Sequence, residues 1–250
     1  MKRFKKRISI ITATKNSSKT IDRSIKSFFK QDYKEKELII IDGNSTDKTI
    51  FKVKQYENKI SKLLIESDKG IYDALNKGLY YAKGDIIGIL HSDDKYHNKY
   101  ILSKIMKKFN NSDVSLIHTN VNIHYKKIIR QFTSKNSFDN NDFSKGEMPP
   151  HTGIFFKKEI LNKIGNFDIK YEYASDLDFI IKCFNYKKVK KKYYNLLTID
   201  MYSGGKSTKS LLNILKQNIE CIMVLKKNKI NFNLFVFFLF KLINRISQIK

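Results

Sequence analysis

Acidic residues are scarce in this chain: 24 Asp and Glu stand against 49 Lys and Arg, a formal net charge of +25 at pH 7. Proline is nearly missing, with 2 residues, and the 10 glycines are scattered, so no flexible or Pro-rich linker divides the sequence. The two cysteines, Cys183 and Cys221, have no metal-ligand spacing and form no disulfide framework. Both fall in apolar helical patterns, as buried thiols in a reducing compartment do. No run reaches the ~20 apolar residues of a spanning helix. The nearest, Phe232 to Ile243, is interrupted by Asn233 and Lys241 and suits an interfacial or core helix. A secretory signal is not expected either, because the apolar run after the basic Met1 to Arg7 ends at Thr12.

What is present is a chain of 250 residues, 41% hydrophobic, enough for one large domain with a small appendage. A positive surplus of this size attracts polyanions and anionic lipid. Lys, Asn and Ile are abundant throughout, however, so part of the charge belongs to ordinary solvated faces.

Apolar runs of strand length alternate with helical patterns. Arg7 to Thr12, Glu37 to Asp42, Leu63 to Glu66 and Asp85 to Leu90 read as strands. Between them, Ile21, Ile25, Phe28 and Phe29 mark one helix face, and Leu75 and Leu79 another, in a helix over Tyr72 to Ala82. Strands this apolar, alternating with helices, predict a parallel sheet covered on both faces, an α/β fold. Further on, Val114 to Asn120 and Ile123 to Phe132 read as a hairpin or mixed extension. Ser134 to Pro150 reads as a polar loop, and helices are expected at Lys157 to Ile164, Asp176 to Asn185, Leu211 to Lys227 and Asn231 to Ile249.

Such sheets bind ligands beyond the carboxyl ends of their strands. Acidic and small polar residues gather there: Thr14 and Asn16, then Asp42, then Glu66 and Asp68, then Asp93 and Asp94. The adjacent Asp93 and Asp94 repel each other unless a cation neutralises them. Mg²⁺ commonly binds one or two carboxylates plus substrate phosphates, so the pair is a candidate Mg²⁺ or Mn²⁺ seat, with helix capping as the alternative. Asp42 is placed to hold a nucleoside, and Asp47 to cap the next helix. Lys69 and the backbone N–H groups near Gly70 mark a helix start able to receive phosphate. Asp73 lies in the first turn, where stabilising the helix dipole is also a sufficient role.

Taken in order, the motifs SIITATKN, ELIIIDGNSTDKT, ESDKGIYDALNKG, GDIIGILHSDD, PPHTGIFFKKEIL, GNFD with YEYASDLDFIIK, and Gly204-Gly205-Lys206-Ser207 resemble family-two glycosyltransferases of the GT-A fold, in the bacterial polysaccharide and lipopolysaccharide branch. The resemblance covers about residues 7 to 208 and implies a GT-A catalytic domain over 1–208. Its nucleotide-sugar part would span about 7–96 and its acceptor and catalytic part about 97–208, followed by a helical extension, 209–250, that contacts membrane or a second subunit. It implies Thr12, Thr14, Asn16, Asp42, Asp68, Lys69, Asp73, Lys77, Asp93 and His151 as donor-binding residues, Asp93 and Asp94 as metal ligands, and Asp176 as catalytic base. Gly153 follows His151 on the acceptor and diphosphate side, and Asp178 is a second base candidate. Two positions depart from the pattern: Ser175 precedes the base and Ser92 precedes the metal pair, where acidic residues are common. Processive members carry a Gln-x-x-Arg-Trp motif and spanning helices; this chain has no Trp, which implies single transfer.

The expected function is therefore inverting, non-processive transfer of one sugar from a nucleotide-sugar, by family preference a UDP-sugar, to a lipid-linked or glycan acceptor at the cytoplasmic face of a membrane. A nucleotidyltransferase would carry a Gly-rich first loop, but Ala13-Thr14-Lys15-Asn16 has no Gly. A non-catalytic binder of nucleic acid or membrane would explain the charge but not the acidic strand ends, and no specific nucleic acid is expected. In the tail, Leu211, Leu212, Leu215, Ile219, Ile222 and Met223 form one apolar face. Phe235 to Phe240 are flanked by Lys226, Lys227, Lys229, Lys241, Arg245 and Lys250. Such a tail is expected to dock on an anionic membrane, with packing on the catalytic domain or a homodimer contact as alternatives.

Overall fold

The computed structural model describes residues 6–125, 128–202 and 210–247. Four parallel strands build one half of the sheet: β1 (Ile8–Thr14), β2 (Lys36–Asp42), β3 (Lys62–Ile65) and β4 (Ile86–Ile89). β1 lies between β2 and β4, with β3 outside β2. Along β1 successive side chains point to opposite faces. Ile8 and Ile10 meet α1 (Ile21–Phe29) and α4 (Ile101–Asn111) in one core, while Ile11 and Ala13 join the other core with α3 (Ile71–Tyr81). Both faces being covered, every residue of β1 is buried, which is why the strand is a nearly unbroken apolar run. Gly78 lets α3 settle on β1, since a Cβ there would stand 2.3 Å from the Ile11 side chain.

The second half of the sheet is mixed. β8 (Ile154–Lys157) runs antiparallel between β4 and β6 (Leu116–Tyr125), and β9 (Lys191–Tyr202) runs parallel to β6 on its other edge. β5 (Lys95–Tyr96) closes the far side on β9, and β7 (Ile128–Phe132) forms a hairpin with β6. The mainly parallel sheet with helices on both faces is the expected α/β architecture.

Three segments differ from the sequence expectation. β8 is hidden at the head of an expected helix, because Phe155 and Phe156 are buried one on each face of the sheet and only four residues are extended. Helical structure there is confined to a 3₁₀ turn and α6 (Leu161–Ile164). The basic stretch from Lys187 opens into β9, whose exposed side chains mask a strand that is specified by pairing with β6. Within the expected loop 134–150, α5 (Asn140–Ser144) is nucleated by a reciprocal cap between Asp139 and Asp142.

The remaining helices are α2 (Thr49–Lys54), α7 (Ser175–Asn185), α8 (Leu211–Lys227) and α9 (Leu234–Ser247). Cys221, Val224, Leu225, Ile230 and Phe237 are buried in the core on the α3 and α7 side, so the tail is packed onto the sheet domain along one side. The Gly204 to Ser207 motif, Lys250 and the expected boundary near 208 fall outside the described residues. No helix among the described residues is long and apolar enough to cross a membrane.

Candidate active site

The carboxyl ends of β1 to β4 open onto one region, and side-chain hydrogen bonds join them. Thr12 is buried and donates its hydroxyl to the Leu90 carbonyl at 2.8 Å, tying the end of β1 to the end of β4. Thr14 is buried at the strand end, and its hydroxyl has no hydrogen-bond partner among the described residues. Asn16 has a φ of 51° and receives the Thr46 N–H on Oδ1 at 2.9 Å, while its own N–H donates to Ser45 at 2.8 Å. Asp42, fully buried, accepts from the Ser45 N–H at 2.6 Å and from the Ser45 hydroxyl at 2.8 Å. Thus Asn16 and Asp42 shape the loop after β2 directly.

At the start of α3, Asp68 accepts from the Gly70 N–H at 3.0 Å. Gly43 makes room for it: a Cβ there would lie 2.2 Å from the Asp68 carboxylate. The Lys69 N–H donates to Asp73 at 3.0 Å. Lys77, one turn on, pairs with Glu66 at 2.6 Å and Asp73 at 3.4 Å, so these four residues form one polar network along the first turns of α3.

Beyond β4 stand Ser92, Asp93 and Asp94. The Ser92 hydroxyl lies 2.9 Å from that of Ser17. Arg23 donates to the Asp93 carbonyl, and its guanidinium stacks 3.6 Å over the Tyr202 ring. Asp94 is buried; the Tyr202 N–H approaches one of its oxygens at 3.3 Å, and the other has no hydrogen-bond partner among the described residues. Burial raises the pKa of Asp93, and burial together with the neighbouring Asp93 charge raises that of Asp94 well above the ordinary range, with Arg23 pulling both back. A buried carboxylate oxygen without a donor, beside a second carboxylate that resists ionising, fits a divalent cation. Among the described residues no group of three or more His, Cys, Asp or Glu is placed to hold a metal. Among the described residues, Asp93 and Asp94 are the pair that would hold a cation here.

Asp176 occupies the first turn of α7. One carboxylate oxygen accepts from the Tyr72 hydroxyl at 3.1 Å and from the Leu177 N–H at 2.8 Å. The other lies 3.5 Å from Nδ1 of His151, whose Nε2 is 2.7 Å from Nε2 of His91. Burial and the nearby His151 push His91 down to about 3, so it is neutral. The two imidazoles share one hydrogen bond through their Nε2 atoms, and Nδ1 of His151 stands beside the Asp176 carboxylate. Burial and the Asp176 charge keep Tyr72 protonated as a donor. The file Asp176–His151–His91 leads directly to the residue before Ser92-Asp93-Asp94, joining the two expected centres of the chemistry. Asp178 lies elsewhere: fully buried, it pairs with Lys182 at 2.7 Å and Lys227 at 3.1 Å and receives Asn228 at 2.9 Å, which binds α7 to α8.

Sequence reasoning did not single out Tyr72, His91, Arg23 or Tyr202. His91 adjoins the carboxylate pair, which is a usable signal; Tyr72 lies on an apolar helix face and reads as core.

Several known proteins are similar to this chain. The family model for glycosyl transferase family 2 matches residues 9–170. A PGL/p-HBAD biosynthesis glycosyltransferase of Mycobacterium bovis is 25% identical over 203 residues, covering 79% of this chain and 77% of its own. The Escherichia coli UDP-Glc:alpha-D-GlcNAc-diphosphoundecaprenol beta-1,3-glucosyltransferase WfgD is 34% identical over 140 residues, 55% of each chain. Among solved structures, S. aureus TarS 1-349 in complex with UDP superposes with a TM-score of 0.69 at 21% identity, over 91% of this chain and 67% of that one. A longer TarS chain is covered over 36% of its length. The Pyrobaculum calidifontis mannosyltransferase in complex with GDP-Man and Mn²⁺ gives 0.66 at 17% identity, over 92% of this chain and 66% of that one. The GT-A fold of the chain agrees with these neighbours.

Proposed function

The chain belongs to glycosyl transferase family 2, and from that premise we propose that it moves one sugar, with inversion, from a UDP-sugar to a hydroxyl of a lipid-linked or glycan acceptor in cell-surface glycan synthesis. The observation that carries this reading is the continuous file from Asp176 through His151 and His91 to the Asp93–Asp94 pair. It supports a reading in which Asp176 as base and Asp93 and Asp94 as a candidate cation seat belong to one site.

The residues divide the work as follows. Asn16, Asp42 and the loop they shape receive the nucleoside, with Thr12 and Thr14 at the base of the same strand end. Asp68, Lys69, Asp73 and Lys77 border the sugar and phosphate at the start of α3. Asp93 and Asp94 would hold Mg²⁺ or Mn²⁺, which when bound supplies positive charge to the diphosphate as it departs. Asp176 accepts the proton of the acceptor hydroxyl while that oxygen bonds to the anomeric carbon and the bond to the diphosphate oxygen breaks. Tyr72 donates to one oxygen of Asp176 and His151 stands beside the other, which together orient the carboxylate toward the acceptor. Attack from the face opposite the leaving group inverts the anomeric centre.

Support for the donor comes from the UDP complex of the TarS neighbour and the UDP-Glc in the name of the E. coli relative. That relative's name also prints a diphosphoundecaprenol acceptor, which supports a lipid-linked one. We assign residues 1–208 to catalysis and 209–250 to contact with the inner face of an anionic cytoplasmic membrane, a second subunit being the competing occupant. The exposed side of α8 carries Leu212, Leu215, Ile219 and Met223, and that of α9 carries Leu234, Phe235, Phe238 and Leu239.

The test is a panel of UDP- and GDP-sugars with Mn²⁺ or Mg²⁺, with and without undecaprenyl-diphosphate-linked sugars, assayed for nucleotide release. Metal-dependent release that rises with the lipid-linked acceptor is expected, with EDTA abolishing it. Full activity in EDTA would remove the cation from the reading, and no release from any donor would remove the transferase.

A further inference from the structure

Just before α7, the backbone turns through Glu172, Tyr173 and Ala174 to deliver Asp176. The helix start has no cap of its own: the N-cap is Ala174, and the buried Ser175 hydroxyl has no hydrogen-bond partner among the described residues. An uncapped first turn frays, because its N–H groups lack acceptors. The N–H of the N-cap Ala174 and those of the two residues before it find their acceptor on α8. One oxygen of Glu220 takes the Glu172 N–H at 2.9 Å, and the other takes the Tyr173 and Ala174 N–H groups at 2.7 and 3.0 Å. Hydrogen bonds to a carboxylate are roughly twice as strong as neutral ones. Three of them, received from consecutive residues, pin this turn to α8.

We propose that Glu220 is a positioning residue for the transfer reaction, holding the 172–174 turn so that Asp176 stands at the acceptor hydroxyl. The C-terminal helix is then a component of the catalytic unit as well as a docking element. The inference rests on the reading of Asp176 as the base. Three further contacts agree with it. Lys227 bridges Asp168 and Asp178 at 2.9 and 3.1 Å, and Asn228 donates to Asp178 at 2.9 Å, fixing α7 from the same helix. On the same helix Ile219 and Met223, the neighbours of Glu220 on the outer side, are 58% and 49% exposed. The segment that faces outward therefore grips the base from within.

Misplacement of a reacting group by about 1 Å can cost about 10²-fold in rate. In the full chain with Mn²⁺, Glu220→Ala is expected to lower kcat ten- to hundredfold on whichever UDP-sugar of the panel is turned over. KM for that donor and calorimetric binding of UDP should change less than threefold. Glu220→Gln keeps a carbonyl acceptor and the side-chain length, and should recover at least a third of the parent kcat. Amide hydrogen exchange read by NMR should accelerate at residues 172, 173 and 174 in Glu220→Ala, whereas in Glu220→Gln the one carbonyl oxygen should keep 173 and 174 protected and leave 172 to accelerate. A parent-like kcat in Glu220→Ala, or a loss of UDP binding in step with turnover, would overturn the proposal. So would unchanged exchange at the three amides. Asp176→Asn run in parallel separates the two readings: if it stays active, the base assignment fails, whereas an inactive Asp176→Asn beside a fully active Glu220→Ala defeats only the role of Glu220.

Discussion

Asp176 shows how much a single carboxylate's surroundings decide. One oxygen accepts from the Tyr72 hydroxyl at 3.1 Å and the Leu177 N–H at 2.8 Å, and the other stands 3.5 Å from Nδ1 of His151. These contacts aim the group. Replacing Asp176 by Asn preserves shape and removes basicity, and general-base catalysis contributes about 10²–10⁴-fold. We expect a loss of kcat in that range with UDP binding intact, measured by steady-state kinetics beside calorimetry; an Asn variant with parent turnover would exclude Asp176 as the base. Asp178, two residues on, cannot substitute, because its oxygens are engaged by Lys182, Lys227 and Asn228 inside the protein.

On the scale of elements, β6 carries a conditional weakness. Its His118 is fully buried, with Nδ1 2.7 Å from the Ser134 hydroxyl and the ring against Phe138, Phe184 and Tyr193. Burial lowers its pKa from 6.5 to about 4. The folded pKa lies below the unfolded one, so between these values the unfolded chain binds more protons. The stability from keeping this imidazole neutral is complete above about pH 6.5 and is lost as the pH falls toward 4, at no more than about 1.4 kcal/mol per pH unit. Urea unfolding at pH 7 and pH 5 should show a drop in midpoint that narrows in His118→Gln, which does not titrate. An equal drop in both proteins would assign the acid sensitivity elsewhere.

The molecule as a whole combines a +25 charge with apolar side chains turned outward on the last two helices. α9 divides its phenylalanines between two environments: Phe237 is fully buried in the core, whereas Phe235 is 75% and Phe238 44% exposed. Removing residues from about 230 onward would strip Ile230 and Phe237 from the core and destabilise the whole protein. Point substitutions avoid this. Phe235→Ser with Phe238→Ser should keep the unfolding midpoint while reducing cosedimentation with phosphatidylglycerol-containing vesicles at least fivefold. Binding of the parent should weaken with salt, because each basic residue near an anionic surface contributes about 1 kcal/mol through a screened field. Unchanged vesicle binding, with a shift from dimer to monomer in the variant by ultracentrifugation, would give the face to a second copy of the chain instead.

Much of this protein was decided locally. Strands covered on both faces must be apolar throughout, so β1, β2 and β4 were legible within a residue or two, and with them the parallel α/β sheet and the line of polar residues beyond its strand ends. Residue chemistry alone also singled out Asp93 and Asp94, since paired carboxylates at the end of a buried strand require a reason, whereas Asp176 was implied only by the family resemblance. Tertiary structure decided the rest. β8 and β9 exist because β6 offers edges to pair with, and neither a four-residue run nor a lysine-rich one shows that from within. The partners of Asp176 were equally hidden: Tyr72 is 104 residues away in sequence, and Glu220 reaches the turn before it from 46 to 48 residues away. Periodicity records which face of an element is buried. A hydrogen bond depends on the direction and distance between two atoms, and for groups so far apart in the chain only the folded backbone sets these.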